Sequence, residues 1–175
     1  MDQEKRRSKE IRQRLSMAVL KKRYSDINDT LKHIRLQIEE SKPFAASFVP
    51  KCKSPTDLFF YLKPYLKYKH DPKGIELLQS MPTLIKNNYY NKSGSGDCDC
   101  FTIAAVASCL VQNWKNCEVW IKLAGRNKYT PVHIWSGVTK DGKDYPMDLT
   151  NPIPNYERNY PYIQKLYLKK KVINK

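Results

Sequence analysis

The sequence predicts an α+β fold, and three observations support this prediction. A strongly apolar helical pattern begins at Cys98 and continues to Trp114, which is typical of a buried helix. Segments rich in strand-forming residues follow, and Asp141 and Gly142 between two of them are a strong signal for a two-residue hairpin turn. Before Pro43 the chain contains neither proline nor glycine and keeps helical spacing. We therefore expect a central helix on an antiparallel sheet, with a long helical extension.

The N-terminal segment, residues 1–42, is predicted to be a basic helical arm. Its apolar residues recur at helical spacing on a narrow stripe, which predicts one long helix or two collinear helices that break near Ser25. The pattern ends where Ser41 precedes Lys42 and Pro43. This element is either an amphipathic helix docked on its own domain or an arm that contacts another chain or nucleic acid, and we favour the arm.

The middle of the chain predicts short helices joined by polar turns. Residues 44–53 are interpreted as an irregular link, and the Ser-Pro-Thr-Asp run at 54–57 is a good helix start because Ser54 can cap a helix whose first position is proline. We expect a second, short helix over residues 74–80 that ends at Met81 and Pro82. Residues 87–96 carry turn residues.

The C-terminal half predicts strands over residues 118–123, 132–138 and 145–150, and a helical or frayed basic tail over 165–175. A two-residue loop at Asp141 and Gly142 pairs residue 140 with 143, so position 135 faces 148. His133 shares a face with position 135 because side chains alternate along a strand. Asp148 then becomes a diagonal neighbour of His133, at roughly 7–8 Å between Cα atoms, within reach of an imidazole–carboxylate hydrogen bond.

The chain is strongly basic, with 32 Lys and Arg against 17 Asp and Glu and a formal net charge of +15. Such an excess predicts attraction to polyanions, which are nucleic acid, an acidic protein surface or an anionic membrane face, and does not distinguish among them. The sequence contains no glycine-rich phosphate loop, zinc finger or RNA-binding signature, so a sequence-specific nucleic-acid binder is the weakest of the alternatives. It also shows no apolar run long enough for a membrane helix and no signal peptide.

Five cysteines are present, at positions 52, 98, 100, 109 and 117. The odd count and the spacing fit no disulfide framework, so we expect reduced thiols in a cytosol-like compartment. Cys98 and Cys100 lack the spacing of a zinc knuckle, and no second pair follows. We therefore expect no metal and no cofactor.

Cys98 follows a glycine-containing turn and opens the apolar helix pattern. A thiol at a helix N-terminus lies near unpaired backbone N–H groups and the positive end of the helix dipole, which favour a thiolate nucleophile. Asp97 and Asp99 oppose this ionisation. The alternative interpretation is a buried structural cysteine. Because His133 and Asp148 are predicted on one face of the hairpin, we expect Cys98, His133 and Asp148 to form a catalytic nucleophile–base–orienter triad.

The Gly-Asp-Cys-Asp run at 96–99 before an alanine-rich helix, His-Ile-Trp at 133–135 and Met-Asp-Leu-Thr at 147–150 together resemble the transglutaminase-like superfamily of papain-like cysteine enzymes, in its phage and bacterial type. Residues 77–82 are similar to the segment that precedes this motif, and the resemblance covers about residues 55–150. It implies a papain/transglutaminase-like core in which Cys98, His133 and Asp148 match the triad.

The chain departs from the family pattern in three ways. Cys100 stands where a second Asp is usual, and residues 118–123 lack the arginine often found on the strand after the helix. The residue that would stabilise an oxyanion is not identified by the motif, and Gln79 and Asn91 are the candidates.

These observations predict a basic helical arm (1–42), a transglutaminase-like domain (43–160) and a basic C-terminal tail (161–175). We expect a phage virion-associated protein, in the virion or the host cytoplasm and not secreted. In this hypothesis the fold serves as a structural or assembly component (portal, tail or ring) of an oligomeric assembly, and the arm contacts other virion proteins while the basic termini are available to nucleic acid. The alternative is an active Cys-His-Asp enzyme: a cysteine peptidase, an amidase or an amide cross-linker.

Overall fold

The computed structural model describes residues 19–22, 27–72, 76–90 and 96–168 of the 175-residue chain. In chain order the elements are β1 (Val19–Lys22), α1 (Ile27–Phe48), α2 (Pro55–Leu62), a 3₁₀ turn (Lys63–Tyr65), β2 (Glu76–Gln79), α3 (Met81–Ile85), a π-helical turn (Lys86–Tyr90), α4 (Cys98–Gln112), β3 (Cys117–Gly125), β4 (Pro131–Lys140), β5 (Lys143–Met147) and β6 (Tyr162–Tyr167). Strands β5, β4, β3 and β6 form, in that order, one antiparallel sheet, and β1 pairs with β2. The predicted α+β class agrees with this arrangement.

Helix α4 is the centre of the hydrophobic core. Nearly all of its side chains are buried, because it lies between helix α1 and the sheet. The helix ends at Asn113, which adopts a left-handed conformation with a φ of 55°. The sequence places this end near Asn116, three residues too late. The start at Cys98 and the all-round burial agree with the prediction.

Helix α1 passes through Pro43 and ends at Phe48, so the predicted end at residues 41–43 and the predicted link over 44–48 are wrong. Tertiary packing outweighs the cost of the proline. Beyond it, Ala45 is fully buried, and the ring of Phe48 stacks on Phe44 at 5.1 Å and meets Tyr65 at 4.9 Å. Before it, Ile34 and Ile38 also belong to the main core. Helix α1 therefore packs against the domain.

The predicted start of helix α2 is confirmed. The Ser54 side chain accepts a hydrogen bond from the backbone N–H of Asp57, and the Asp57 carboxylate accepts one from the backbone N–H of Ser54. Pro55 occupies the first helical position. This reciprocal pair satisfies two backbone donors that the first turn of a helix otherwise leaves unpaired.

Two short strands replace helices that the sequence predicts. Val19–Lys22, placed within the N-terminal helix, pairs antiparallel with Glu76–Gln79, placed within the helix over 74–80. These strands pair across more than 50 positions of chain, and such long-range pairing leaves no local signal. Helix α3 then begins at Met81, because Pro82 in the first turn loses no helical hydrogen bond.

The predicted hairpin register is confirmed. Strands β4 and β5 pair Lys140 with Lys143 and Ser136 with Met147, and no bulge forms at Pro146. Strand β5 ends at Met147, so the strand predicted over residues 145–150 is wrong for its last three residues, and Asp148 and Thr150 lie beyond the pairing with β4.

Strand β6 (Tyr162–Tyr167) extends into the predicted helical or frayed tail, so that prediction is wrong for residues 165–167. Its backbone pairs with β3, and Lys165 lies beside the ring of Trp120 at 4.8 Å and forms an ion pair with Asp144 at 2.8 Å. These contacts keep Lys165 on the sheet, although the sequence places this residue at the start of a helical or frayed tail.

The predicted boundaries at residues 42 and 160 stay predictions. Helix α1 crosses the first boundary, and β6 follows the second. The predicted helix over residues 1–18 and the tail residues 169–175 lie outside the described residues. Within the described part of the chain, no helix has both the length and the apolar character that a bilayer crossing demands.

Candidate active site

His133 and Asp148 meet at the start of strand β4. The Nε2 atom of His133 lies 2.7 Å from the Oδ2 atom of Asp148, so the contact predicted from the hairpin register is present. His133 comes from the strand, whereas Asp148 follows the last residue of β5. The turn at residues 141–142 therefore brings together two side chains that are 15 positions apart.

Asp148 is surrounded by hydrogen-bond donors and is 6 % exposed. Its Oδ1 atom accepts from the Thr150 backbone N–H at 3.0 Å and from the Thr150 hydroxyl at 2.6 Å, and its Oδ2 atom accepts from Asn151 Nδ2 at 2.9 Å. Burial raises the pKa of this carboxyl group, but the hydrogen bonds from His133 and Thr150 outweigh burial and lower it below its ordinary value. Asp148 is thus held as a carboxylate.

The carboxylate fixes the tautomer of the imidazole. Since ionised Asp148 can only accept, Nε2 of His133 carries the hydrogen of the 2.7 Å contact. In the neutral ring, Nδ1 is then the atom with a free lone pair, and it can take a proton from a neighbouring acid.

Cys98 begins helix α4, where it packs against strand β4. The Thr102 hydroxyl oxygen lies 2.8 Å from the Cys98 carbonyl oxygen and 3.3 Å from that of Ile134. The Cys98 thiol also has a hydrogen bond with the backbone of Ile134, the residue that follows His133. Cys98 and His133 line the same cavity. The structure therefore brings all three predicted residues into one region of the molecule.

The electrostatic surroundings keep Cys98 protonated. Burial raises the pKa of the Cys98 thiol, and the carboxylates of Asp97 and Asp99 raise it further. The hydrogen bond with Ile134 acts in the opposite direction but is weaker. The expectation that the two carboxylates oppose ionisation is confirmed. A nucleophile at this position requires a base to remove its proton during the reaction.

An aromatic stack that the sequence does not predict packs against the imidazole ring of His133. The ring of His133 stacks on Trp135 at 5.4 Å and on Tyr160 at 6.1 Å. The indole N–H of Trp135 donates to Glu157 at 2.9 Å, and Lys122 pairs with the same carboxylate at 2.6 Å. Because side chains alternate along a strand, the sequence predicts that Trp135 and His133 share one face of β4. No local pattern predicts that residues 157–160 pack against that face.

Cys100 is structural in this fold. It is fully buried, and its thiol donates to the carbonyl oxygen of Leu77 at 3.1 Å. A Cβ atom added at Gly96 would lie 2.7 Å from the Cys100 Cβ atom, so the glycine of the motif allows the turn to pass close to Cys100. Cys98, by contrast, is partly exposed.

The two candidate oxyanion donors remain unassigned. The Gln79 amide oxygen accepts a hydrogen bond from Asn87 at 2.9 Å, and its backbone contacts the Cys100 thiol. Asn91 lies outside the described residues.

Asp97, Asp99 and Cys100 form a group whose possible ligand atoms lie within 4.8 Å of one another. Burial and the two carboxylates raise the pKa of the Cys100 thiol.

Comparison of the chain with protein-family models, with curated proteins and with solved structures finds no significant match.

Proposed function

We propose that the protein is a Cys-His-Asp thiol enzyme that transfers an acyl group from an amide. The 2.7 Å contact between His133 and Asp148, beside the cavity that Cys98 and His133 share, is the observation that carries this proposal. Cys98, His133 and Asp148 are then the nucleophile, the base and the residue that orients the base, which are the groups that attack of a thiol on an amide requires.

The first step forms a thioester. The Cys98 sulfur attacks the carbonyl carbon of the substrate while Nδ1 of His133 takes the thiol proton, so the thiolate forms only during the attack. The C–N bond then breaks, and the imidazolium gives this proton to the departing amine. Asp148 stabilises the imidazolium and holds its orientation.

The second step regenerates the enzyme. His133 takes a proton from water, or from a second amine, as that nucleophile attacks the thioester carbon. The C–S bond breaks and the proton returns to the Cys98 sulfur. Water gives a peptidase or amidase, and an amine gives a cross-linker.

The family-level proposal is a papain/transglutaminase-like core. Its support is the Gly-Asp-Cys-Asp motif at 96–99 at the start of α4, together with the packing of α4 on an antiparallel sheet that contributes His133.

Labelling by iodoacetamide tests the nucleophile. The wild-type protein and Cys100→Ala should both be labelled at position 98, as located by peptide mass spectrometry, whereas Cys98→Ala should lose that label. Cys100 is the matched control because it is buried. Equal labelling of the two single variants would contradict the proposal.

The base is tested in the same assay. Removing the imidazole in His133→Ala should slow labelling of Cys98 near neutral pH while the rate at high pH approaches that of the wild type, because hydroxide then ionises the thiol. Identical pH profiles would contradict a role for His133.

The virion hypothesis is a second proposal, supported by the net charge of +15 and by the phage-type motif. Its test follows from the fold. Deleting residues 1–40 would remove core residues of α1 such as Ile34 and Ile38, so the informative deletion is 1–18. A structural component should lose assembly on this deletion and keep it in Cys98→Ala. The reverse outcome would favour the enzyme alone.

A further inference from the structure

The cavity beside Cys98 has a volume of about 390 Å³. Its lining comes from helix α1, from the start of α4, from β3 and β4, and from the turn between these two strands. A volume of this size is within the ordinary range for a ligand pocket. Tyr129 and Val132 line it and are 77 % and 65 % exposed, so the cavity opens at the β3–β4 end of the sheet.

Polar and apolar surface contribute about equally to the lining. The apolar part that a ligand can contact includes Ile27 of α1 and Val132 of β4, whereas Ile34, Leu123 and Ile134 are buried. Apolar surface of this kind binds a chain of methylene groups well, since burial of apolar area is favourable.

The charge in the cavity has the opposite sign to the charge of the protein. Among the described residues, the lining includes Asp97 and Asp99 but neither lysine nor arginine, although the whole chain carries +15. The described surroundings of the thiol therefore disfavour an anionic group and favour a cation.

The carboxylate of Asp97 makes no hydrogen bond that stabilises the start of α4. The residue stands at the N-cap of α4, but its side chain makes no capping hydrogen bond. Its Oδ1 atom is buried, and within the described residues this atom has no hydrogen-bond partner. A buried acceptor without a partner is costly. Asp97 also lines the cavity, and its Oδ2 atom is not buried in this way, so Oδ2 is the oxygen available to a ligand donor.

We propose that this cavity binds a lysine side chain of the substrate, next to the amide that Cys98 attacks. The methylene stem lies along the apolar part of the lining, beside Ile27 and Val132, and the ammonium group donates to Asp97. This inference rests on the proposed acyl-transfer activity, which it narrows to substrates with lysine beside the cleaved bond. The lysine is a recognition group and is not itself acylated.

Fluorogenic peptide amides test the preference. Peptides with lysine, norleucine or glutamate on either side of the cleaved amide differ in charge, and norleucine lacks the ammonium group. We expect the wild-type kcat/KM to be about tenfold higher for lysine than for norleucine, and lower still for glutamate. In Asp97→Asn the lysine-to-norleucine ratio should fall to within about threefold of unity.

The ratio isolates recognition from thiol reactivity, because a change in the pKa of Cys98 affects both peptides alike. Asp144→Asn is the matched control, since Asp144 pairs with Lys165 away from the cavity. It should keep the wild-type ratio. An unchanged ratio in Asp97→Asn, or acylation of the lysine amine detected by mass, would overturn the inference.

Protection from labelling gives a test that needs neither turnover nor a variant. Pentylammonium should slow iodoacetamide labelling of Cys98 in the wild-type protein at concentrations where 1-pentanol has little effect. Equal protection by the two compounds would overturn the inference while leaving the thiol enzyme standing. Failure of every peptide to react, with Cys98 labelled and protected by pentylammonium, would instead overturn the proposed activity.

Discussion

Asp148 connects the fold to the chemistry at the scale of one residue. It holds the His133 tautomer and accepts from Thr150 and Asn151. In Asp148→Asn the side chain has one amide nitrogen, which is a donor, in place of a carboxylate oxygen that accepts hydrogen bonds from His133, Thr150 and Asn151. Two donors would then face each other, so the imidazole would lose its orientation. We expect kcat/KM for a lysine-containing peptide amide to fall roughly 10²- to 10⁴-fold, as measured by fluorescence release.

Asp141→Asn provides the control for this change. Asp141 lies in the exposed hairpin turn with a φ of 50°, a conformation that asparagine tolerates well. It should keep wild-type activity. Comparable losses in the two variants would contradict the assigned role of Asp148.

The triad candidates were accessible from sequence because their signals are local. The motif at 96–99 marks Cys98, and the hairpin turn fixes which face of the strand His133 and Asp148 share. The residues that pack around His133 could not be predicted from the sequence. Glu157 and Tyr160 reach the site through an irregular segment whose path depends on packing against Trp120 and Trp135.

The capping box of α2 is a testable feature at the scale of an element. Ser54→Ala removes the acceptor for the Asp57 backbone N–H, so we expect the free energy of unfolding to fall by about 1 kcal/mol. Urea denaturation measures this change. Ser47→Ala is the control, because its exposed hydroxyl only donates to a carbonyl within α1. A loss no larger than that of the control would show that the cap does not stabilise the protein.

The sheet depends on a close approach between β3 and β4. A Cβ atom at Gly137 would lie 2.3 Å from the ring of Trp120, which is fully buried and flanked by Lys122 and Lys165. Because this ring cannot move aside easily, Gly137→Ala should destabilise the protein by about 1–3 kcal/mol in urea denaturation.

Gly142→Ala separates packing from backbone effects in the same hairpin. No atom lies within 4 Å of the added methyl group, but the φ of 77° disfavours alanine. Its cost should be about 1 kcal/mol. If the Gly142 variant is the less stable of the two, the contact with Trp120 is not what makes Gly137 necessary.

Elements with local signals were predicted well, and elements formed by distant pairing were not. The turn residues Asp141 and Gly142 predicted the β4–β5 hairpin, and Ser54 predicted the start of α2. Strands β1, β2 and β6 depend on partners far along the chain, and α1 continues past Pro43 because of packing beyond it. Propensity at these positions is overridden by tertiary contacts.

At the scale of the whole molecule, three buried or half-buried thiols on α4 make stability depend on pH. Burial is the main cause that raises the pKa values of Cys98, Cys100 and Cys109 above their ordinary range, so the folded protein keeps these protons in alkaline solution. The unfolded chain loses them above about pH 8.5. Because the unfolded state then binds fewer protons, the stability present below that pH is lost as pH rises.

We expect the free energy of unfolding, measured in urea between pH 7 and 10, to fall with a slope that approaches about 1.4 kcal/mol per pH unit for each such thiol. Cys109→Ala should make the slope shallower by one thiol. Val106→Ala is the matched control, because it removes buried apolar volume from the same helix and no thiol. Both variants lose stability at neutral pH, so only the slope distinguishes them. A constant or rising stability above pH 8.5 would mean that the three thiols ionise as readily in the folded protein as in water, and that the carboxylates beside Cys98 do not oppose the thiolate.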